Sequence, residues 1–399
     1  MADVDWLAVL LMGVLLGIGV TFIYGAGVDM STGGSSRWSQ QLTWIALGSV
    51  VYVTAAAVDY RMWCRYSWVF YLAALGILLF TLFFGKTWNS TRGWLQIPGI
   101  GLVQTAEAVK PVALIFLAYL GTVPALRHTF LKEWGAPAAL IAAAAVPMTL
   151  IMLQPDFGTA MVFAPLTLVL IYLTGLHWKW FVLGAALLLL AVPLLYPRLN
   201  RLQQDRIKVF AAEPASAVMQ VSETFLSREQ SERMREYYEN NFKPGNDWNA
   251  IQSKLAVGSG GLRGKGYLKG TQHQLGYLPR TIAPTDFIFA VIAEETGFIG
   301  AGTVIALLAG LLLCFARTAL TAADQQGTFL AMGATVIFAT HSIINIAMTM
   351  GAAPIVGIPL PFLSYGGSFV ISTLFLAGLI QSVQIHRVPL FNDLPEYTP

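Results

Sequence analysis

The chain has 399 residues, of which 56% are hydrophobic and 11% charged, with a formal net charge of +3 and a mean hydropathy of +0.63. A soluble domain carries about 25% charged residues, so this composition excludes a water-soluble globular protein. No nucleic-acid partner is expected.

Apolar runs long enough to cross a hydrocarbon core of about 30 Å, roughly 17 to 25 residues, predict an all-α polytopic membrane protein with about ten transmembrane helices. They cover 6–24, 42–58, 67–84, 104–121, 136–153, 158–174, 178–196, 286–316, 326–350 and 367–385. Only Asp3 and Asp5 precede the first run and no small-residue cleavage site follows, so it reads as a retained helix. Its Gly13 and Gly17 predict close packing against a neighbouring helix. With a cytoplasmic N-terminus, the short inner connections hold Arg61, Arg65, Arg127, Lys132, Lys179, Arg317 and Arg387, against Arg37, Lys86 and Arg92 outside. That asymmetry places both termini inside. Cys64 and Cys314 fall near the inner face without Cys-x-x-Cys or Cys/His spacing, so neither a disulfide framework nor a zinc site is expected.

Residues 197–285, between the seventh and eighth runs, form a large extracytoplasmic loop within a single membrane domain spanning 1–399. The loop holds thirteen of the twenty-four Lys and Arg residues against eight acids. Clustered cations beside a low-dielectric wall focus a positive potential, which suits an anionic ligand; a solvated face is the plainer alternative. Within it, 216–241 is rich in Glu, Arg, Gln and Met without Pro or Gly and predicts an amphipathic helix. GSGGLRGKGYLKG, 258–270, interleaves glycines with Arg263, Lys265 and Lys269. Such a stretch either presents N–H groups to phosphate oxygens or is a flexible turn, and its spacing is not that of a Walker A loop.

Polar residues inside the helices are few. Glu107 and Lys110, three apart, face one side and form either a buried ion pair or part of a site. Asp156, in QPDFGT, either caps the following helix or serves a ligand. His341 and Asn345, four apart, read as packing residues. IPLPFLSYGGS, 358–368, reads as a re-entrant stretch that must be buried in protein or line a cavity.

The densest anomaly is PTDFIFAVIAEETG, 284–297, where Asp286, Glu294 and Glu295 interrupt an apolar run. Each ionised carboxylate there costs several kcal/mol if left alone. On a straight helix Glu294 lies about 12 Å beyond Asp286 and Glu295 about 180° around from it, so the three cannot act on one reacting centre. Asp286 sits at the outer mouth, where it either handles a substrate or caps the helix. Glu294 and Glu295 lie deeper and read as internal anchors, with Lys110 one candidate partner.

Three stretches together, IQSKLAVGSGGLRGKGYLKGTQ, TDFIFAVIAEETG and PLPFLSYGGS, resemble the SEDS family of bacterial cell-wall proteins, and the Leu-Arg-Gly-Lys-Gly form is closer to its RodA branch than to FtsW. The likeness runs along nearly the whole chain. It implies a peptidoglycan glycosyltransferase of the bacterial cytoplasmic membrane that polymerises lipid II, the undecaprenyl-diphosphate-linked disaccharide, during elongation and rod-shape maintenance. A class B penicillin-binding protein and other elongation-complex membrane proteins are its implied partners. The family's essential aspartate matches Asp286, and its motifs match Arg92, Trp94, Gln104, Glu107, Lys110, Asp156, Arg206 and Ser364 to Gly367, which includes Tyr365; Lys254, Arg263 and Lys265 fall inside the first stretch. The chain differs at Gln104-Thr105-Ala106-Glu107, at Arg280, at Ile282-Ala283-Pro284, and in 216–241, which resembles an insertion.

The implied reaction is attack of a GlcNAc 4-hydroxyl on the MurNAc anomeric carbon with loss of an α-linked diphosphate. That is an inversion, needing one base and a stabilised leaving group. Asp286 is the expected base or hydroxyl-orienting residue, and Lys110, Arg206, Arg263 and Lys265 are the available cations. A Mg2+ or Mn2+ bridging carboxylate and phosphate is the one cofactor such a reaction would draw on; no nucleotide or organic cofactor is expected. The rival is a lipid II flippase, which needs the same anionic-lipid pocket. Against it, the two halves show no correspondence and the charges crowd to the outer face. A pure scaffold would leave the carboxylates unexplained.

Overall fold

The structure, a computed structural model, describes residues 4–27, 37–88, 91–97, 101–127, 132–195, 197, 204 and 248–387. Arg206 and the 216–241 segment lie outside the described residues.

The chain opens with α1 (Trp6–Gly27), α2 (Arg37–Ala57), the short α3 (Tyr60–Arg65) and α4 (Ser67–Phe84). Strands β1 (Lys86–Trp88), β2 (Thr91–Ile97) and β3 (Gly101–Gln104) follow. Then come α5 (Thr105–Thr122), the one-turn α6 (Pro124–Arg127), a 3-10 turn at Lys132–Trp134, α7 (Gly135–Leu153), α8 (Phe157–Met161), α9 (Phe163–Leu173) and α10 (Trp178–Leu195). After the long connection the chain forms α11 (Trp248–Ser259), α12 (Thr271–Gln274), α13 (Ile288–Leu320), α14 (Gln325–Thr349) and α15 (Gly367–Ile385).

The expected apolar runs fall on helical residues, 158–174 being divided between α8 and α9, and among the described residues seven helices, α1, α4, α5, α7, α13, α14 and α15, are long and apolar enough to cross a membrane. The chain is thus a multi-pass membrane protein. Burial sorts these seven into two sets: α5, α14 and α15 bury 67–72% of their most apolar windows, the other four only 28–33%. Hence α5, α14 and α15 form the centre, and the site residues they carry are enclosed by protein. Polar contacts between helices pin the arrangement: the Tyr71 hydroxyl donates to the Ala143 carbonyl at 2.5 Å and Ser372 Oγ to the Glu107 carbonyl at 3.0 Å. Each such bond contributes about 0.6 kcal/mol in a membrane.

Two packing expectations change. Around Gly13 and Gly17 there is open space on α1, so among the described residues their spacing serves no close contact. Close approach comes instead at Gly19, where an added Cβ would lie 2.8 Å from the Leu363 carbonyl oxygen. Outside the helices the chain also adds a three-stranded antiparallel sheet in the order β1-β2-β3, with Trp94 opposite Gln104 and Ile97 opposite Gly101. Its Thr, Trp, Leu, Ile and Val side chains fit a pleated surface. The sheet fixes where α5 begins, since Thr105 Oγ1 donates to the Gly93 carbonyl at 3.3 Å.

α13 is 33 residues long, about 50 Å at 1.5 Å per residue, and it is broken at Gly297, whose φ of 70° and ψ of −164° are not helical. The glycine-rich turn after α11 fills the break. Phe298 N–H donates to the Gly261 carbonyl at 2.8 Å and Ile299 N–H to that of Leu262 at 3.2 Å; Lys265 and Gly266 N–H donate to the Glu294 and Glu295 carbonyls at 3.0 and 2.9 Å. The orphaned backbone groups of the kink are thereby satisfied inside protein, as a membrane requires. Gly264, at φ +77°, leaves no room for a Cβ against the Glu295 carbonyl.

Candidate active site

Asp286 lies in the turn ahead of α13, and the helix N-cap is Phe287, with no side chain hydrogen-bonded at the cap. Asp286 is therefore not the N-cap residue of α13 but the residue before it. The straight-helix geometry expected from 286 onward also fails, because the helix starts at Ile288. Asp286 is half-buried, and an added Cβ at Gly357 would sit 3.6 Å from its Oδ2. That is ordinary contact, so it is the φ of +72° at Gly357, beside the carboxylate, that favours glycine.

The backbone around Asp286 is clasped at three successive carbonyls. Pro284 O accepts from Tyr365 N–H at 2.8 Å, Thr285 O from Ser364 Oγ at 2.5 Å, and Asp286 O from Asn345 Nδ2 at 2.9 Å. Asn345, fully buried on α14, shares its amide with the Ile358 carbonyl at 2.7 Å. Ser364 Oγ also accepts from Leu360 N–H at 2.7 Å. The 358–365 stretch, predicted to be re-entrant, is accordingly buried in protein and serves as the brace of Asp286. Its Phe362 sits at φ 65°, a conformation that is strained for a bulky side chain.

One turn earlier on α14, His341 connects this brace to the pair on α5. Lys110 Nζ lies 2.8 Å from both Glu107 carboxylate oxygens and donates to Oε1, so Oε2 has the ion-pair contact without a hydrogen bond of its own. His341 Nδ1 is 3.1 Å from the Pro359 carbonyl, which only accepts, so Nδ1 carries the proton and Nε2 accepts from Lys110 at 2.9 Å. Glu107, Lys110 and His341 line a small pocket with Phe369, Ser372 and Pro361. Lys110 is therefore not the partner of Glu294 or Glu295. His341 and Asn345, expected to be packing residues, are the two rungs by which α14 holds the loop bracing Asp286.

The two deeper carboxylates anchor the glycine-rich turn. Glu294, fully buried, accepts from Lys265 Nζ at 2.6 Å, Thr271 N–H at 2.8 Å and Gln272 N–H at 3.2 Å. Glu295 accepts from the N–H groups of Leu268 at 3.1 Å and Gly270 at 3.4 Å. Lys265 is thus already neutralised, which weakens its candidacy as a free phosphate ligand; Arg263 in the same turn is exposed.

The remaining candidates divide. Asp156 caps α8, accepting from Thr159 N–H at 3.0 Å, while its second oxygen accepts from Gln104 Nε2 at 2.7 Å. Gln104 pairs across the sheet with Trp94, whose indole N–H donates to Thr91 Oγ1 at 3.2 Å. Arg92 donates to the Phe83 carbonyl at 2.9 Å and closes the end of α4. The Lys254 side chain on α11 crosses Gly351. The Tyr365 hydroxyl donates to Gln40 Oε1 at 2.7 Å, and the Arg37 guanidinium lies 5.9 Å from its ring centre. Burial raises the Tyr365 phenol pKa, with Arg37 opposing.

Three residues on α2 are not singled out as site residues by the sequence. Gln41, buried, donates to the Ser364 carbonyl at 3.2 Å and accepts from Gly366 N–H at 3.2 Å, and Gln40 and Arg37 hold Tyr365. The available signal was a glutamine pair at the mouth of an apolar helix, where an amide needs a partner.

A family model described as FTSW_RODA_SPOVE, cell cycle protein, matches residues 5–388. The chain is 32% identical to the peptidoglycan glycosyltransferase MrdB of Escherichia coli strain K12, over 93% of this chain and 92% of that one. It is 29% identical to the peptidoglycan glycosyltransferase RodA of Treponema pallidum, over 97% and 99%. A solved structure on the coordination of polymerization and crosslinking by a peptidoglycan synthase complex contains a chain of the same fold, with a TM-score of 0.73 at 23% identity, covering 96% of this chain and 98% of that chain.

Proposed function

Because the chain belongs to the FtsW/RodA/SpoVE cell cycle protein family, we propose that it is a peptidoglycan glycosyltransferase that polymerises lipid II into β-1,4 glycan, with Asp286 as its general base. The observation that carries the role of Asp286 is the clasp on three consecutive carbonyls, which fixes a half-exposed carboxylate one residue ahead of the helix N-cap. Preorganisation of this kind is what a base needs, since efficiency depends on holding the acceptor proton within about 2.6–3.2 Å.

In this reading the acceptor GlcNAc 4-hydroxyl loses its proton to Asp286 as its oxygen attacks the MurNAc anomeric carbon. The C–O bond to the diphosphate breaks, and undecaprenyl diphosphate leaves with the electron pair. Arg263, exposed in the glycine-rich turn, and Lys254 on α11 are the cations assigned to that diphosphate, whereas Lys110 acts inside the Glu107–His341 group and tunes the brace. Among the described residues no three His, Cys, Asp or Glu side chains gather. A Mg2+ or Mn2+ would be held by Asp286 and the substrate diphosphate, a set that Mg2+ accepts, and would neutralise charge on the leaving group.

The Lys and Arg asymmetry supports cytoplasmic termini and a site facing the extracytoplasmic side of the bacterial cytoplasmic membrane. A class B penicillin-binding protein is the proposed partner, in keeping with the synthase complex whose chain shares this fold. The test is polymer formation from purified lipid II in detergent, where no sidedness exists. Glycan strands support the proposal; bound but unpolymerised substrate, with translocation in vesicles, would replace it with transport.

The clasp has its own test. Asn345→Ala leaves the Asp286 and Ile358 carbonyls without their donor, and a misplacement of about 1 Å costs up to about 10²-fold. The expected outcome is a fall in kcat with KM for lipid II nearly unchanged. A normal kcat in folded protein would show that Asn345 does not position Asp286.

A further inference from the structure

α11 is turned inside out for a helix in water. Its buried side carries Gln252, Ser253 and Ala256, with Ser253 Oγ donating to the Thr349 carbonyl at 2.9 Å. Its outward side carries Trp248, Ile251 and Leu255, each about 50% exposed. At 3.6 residues per turn these three, with Gly258 and Ser259, fall within one arc of about 100° that holds no charged side chain. A helix between a protein core and water shows the reverse distribution.

Depth points to what lies beyond that face. Arg317, in the last turn of α13, marks one edge of the membrane, and about 20 residues at 1.5 Å each cross a 30 Å core. Counting back from Arg317 reaches Gly297, where the turn after α11 bonds to the helix. Leu262, 64% exposed, is tied there by its carbonyl to Ile299 N–H. It therefore sits level with Phe298 and Ile299, 74% and 55% exposed on a membrane-spanning helix. Exposed aromatics mark the same rim. Trp248 Nε1 donates to the Tyr277 carbonyl at 2.6 Å, and the Tyr267 hydroxyl donates to the Thr21 carbonyl at 2.9 Å near the end of α1. Trp and Tyr collect at the membrane–water interface.

We propose that α11 and the glycine-rich turn behind it form a membrane-interfacial element, with the face of Trp248, Ile251, Leu255 and Leu262 covered by the acyl chains of the leaflet at that boundary. The surface is continuous with the lipid-facing side of α13, and the exposed Arg263 and Lys269 sit beside it, where long cationic side chains reach headgroup phosphates. It depends on nothing assumed about the chemistry of Asp286.

The experiment places a nitroxide at Ile251→Cys and, separately, at Leu255→Cys in full-length protein reconstituted alone in phosphatidylethanolamine–phosphatidylglycerol vesicles. Phe298→Cys serves as the lipid-side reference and Gln96→Cys as the water-side reference. Both test labels are expected to follow Phe298, with collisions with dissolved oxygen exceeding those with a nickel chelate. A ratio like that of Gln96 would overturn the proposal in favour of a water-exposed face. Protection from both relaxants would overturn it in favour of a second copy of the chain. Should a cysteine variant fail to fold, quenching by acyl-brominated lipid is compared between the unmodified protein and Trp248→Phe. A smaller quenched fraction in the variant supports the proposal, and an identical one contradicts it.

Discussion

Asp286→Asn abolishes glycan polymer from purified lipid II while the protein stays folded in membranes: that is the expected result. General base catalysis contributes about 10² to 10⁴-fold, which is about 3 to 5 kcal/mol of barrier. Asparagine has nearly the same shape, and the clasp from Asn345, Ser364 and Tyr365 holds backbone carbonyls that the substitution does not touch. The brace should therefore survive, and lipid II should still bind. Polymer of normal length and rate from Asp286→Asn would remove Asp286 from the mechanism. Glu107→Gln is a useful contrast, because it removes the charge that Lys110 faces in the central cavity without touching the clasp.

The second large effect is structural. Glu294→Ala strips the acceptor from Lys265, Thr271 and Gln272 in a position with 1% side-chain exposure. Removing one partner of a buried pair costs about 3–5 kcal/mol, and the lower end applies because Lys265 is a quarter exposed. The turn that fills the Gly297 break should then detach, exposing 262–272 to protease and lowering the thermal midpoint in detergent. Glu294→Gln keeps an acceptor for the Thr271 and Gln272 N–H groups, so its loss should be smaller. Equal midpoints for wild-type and Glu294→Ala protein would mean that the carboxylate does not anchor the turn.

How much of this was legible in the sequence depended on the range of each interaction. The Glu107–Lys110 pair follows from helical spacing of three, and the runs that became helices follow from length and hydropathy. Asp286 stood out because an ionised group in an apolar run demands a reason. The partner of Glu294 was not legible: Lys265 is 29 residues away, and it arrives only because Gly297 breaks the helix and the glycine-rich turn fills the gap. The apolar run reads as one straight helix through that point, and periodicity carries no sign of a kink filled from elsewhere. Asn345, four residues from His341, reads as a packing residue because helical spacing does not show a distant acceptor; one of its acceptors, the Asp286 carbonyl, is 59 residues away. The sheet at 86–104 escaped because its strands are short and sit between two strong helical signals. Gly13 and Gly17 fit the close-packing pattern, whereas the contact is made at Gly19, since spacing alone does not say which face of α1 meets the chain.

The central claim is that the Asp286 carboxylate meets a sugar hydroxyl. A structure of the protein with lipid II and a non-reactive acceptor bound tests it most directly. The account predicts an Asp286 carboxylate oxygen about 2.6–3.2 Å from the acceptor 4-hydroxyl, with Tyr365, Ser364 and Asn345 still on the three carbonyls behind it. A bound acceptor whose 4-hydroxyl lies on the other side of the 358–365 loop, out of reach of Asp286, would contradict it.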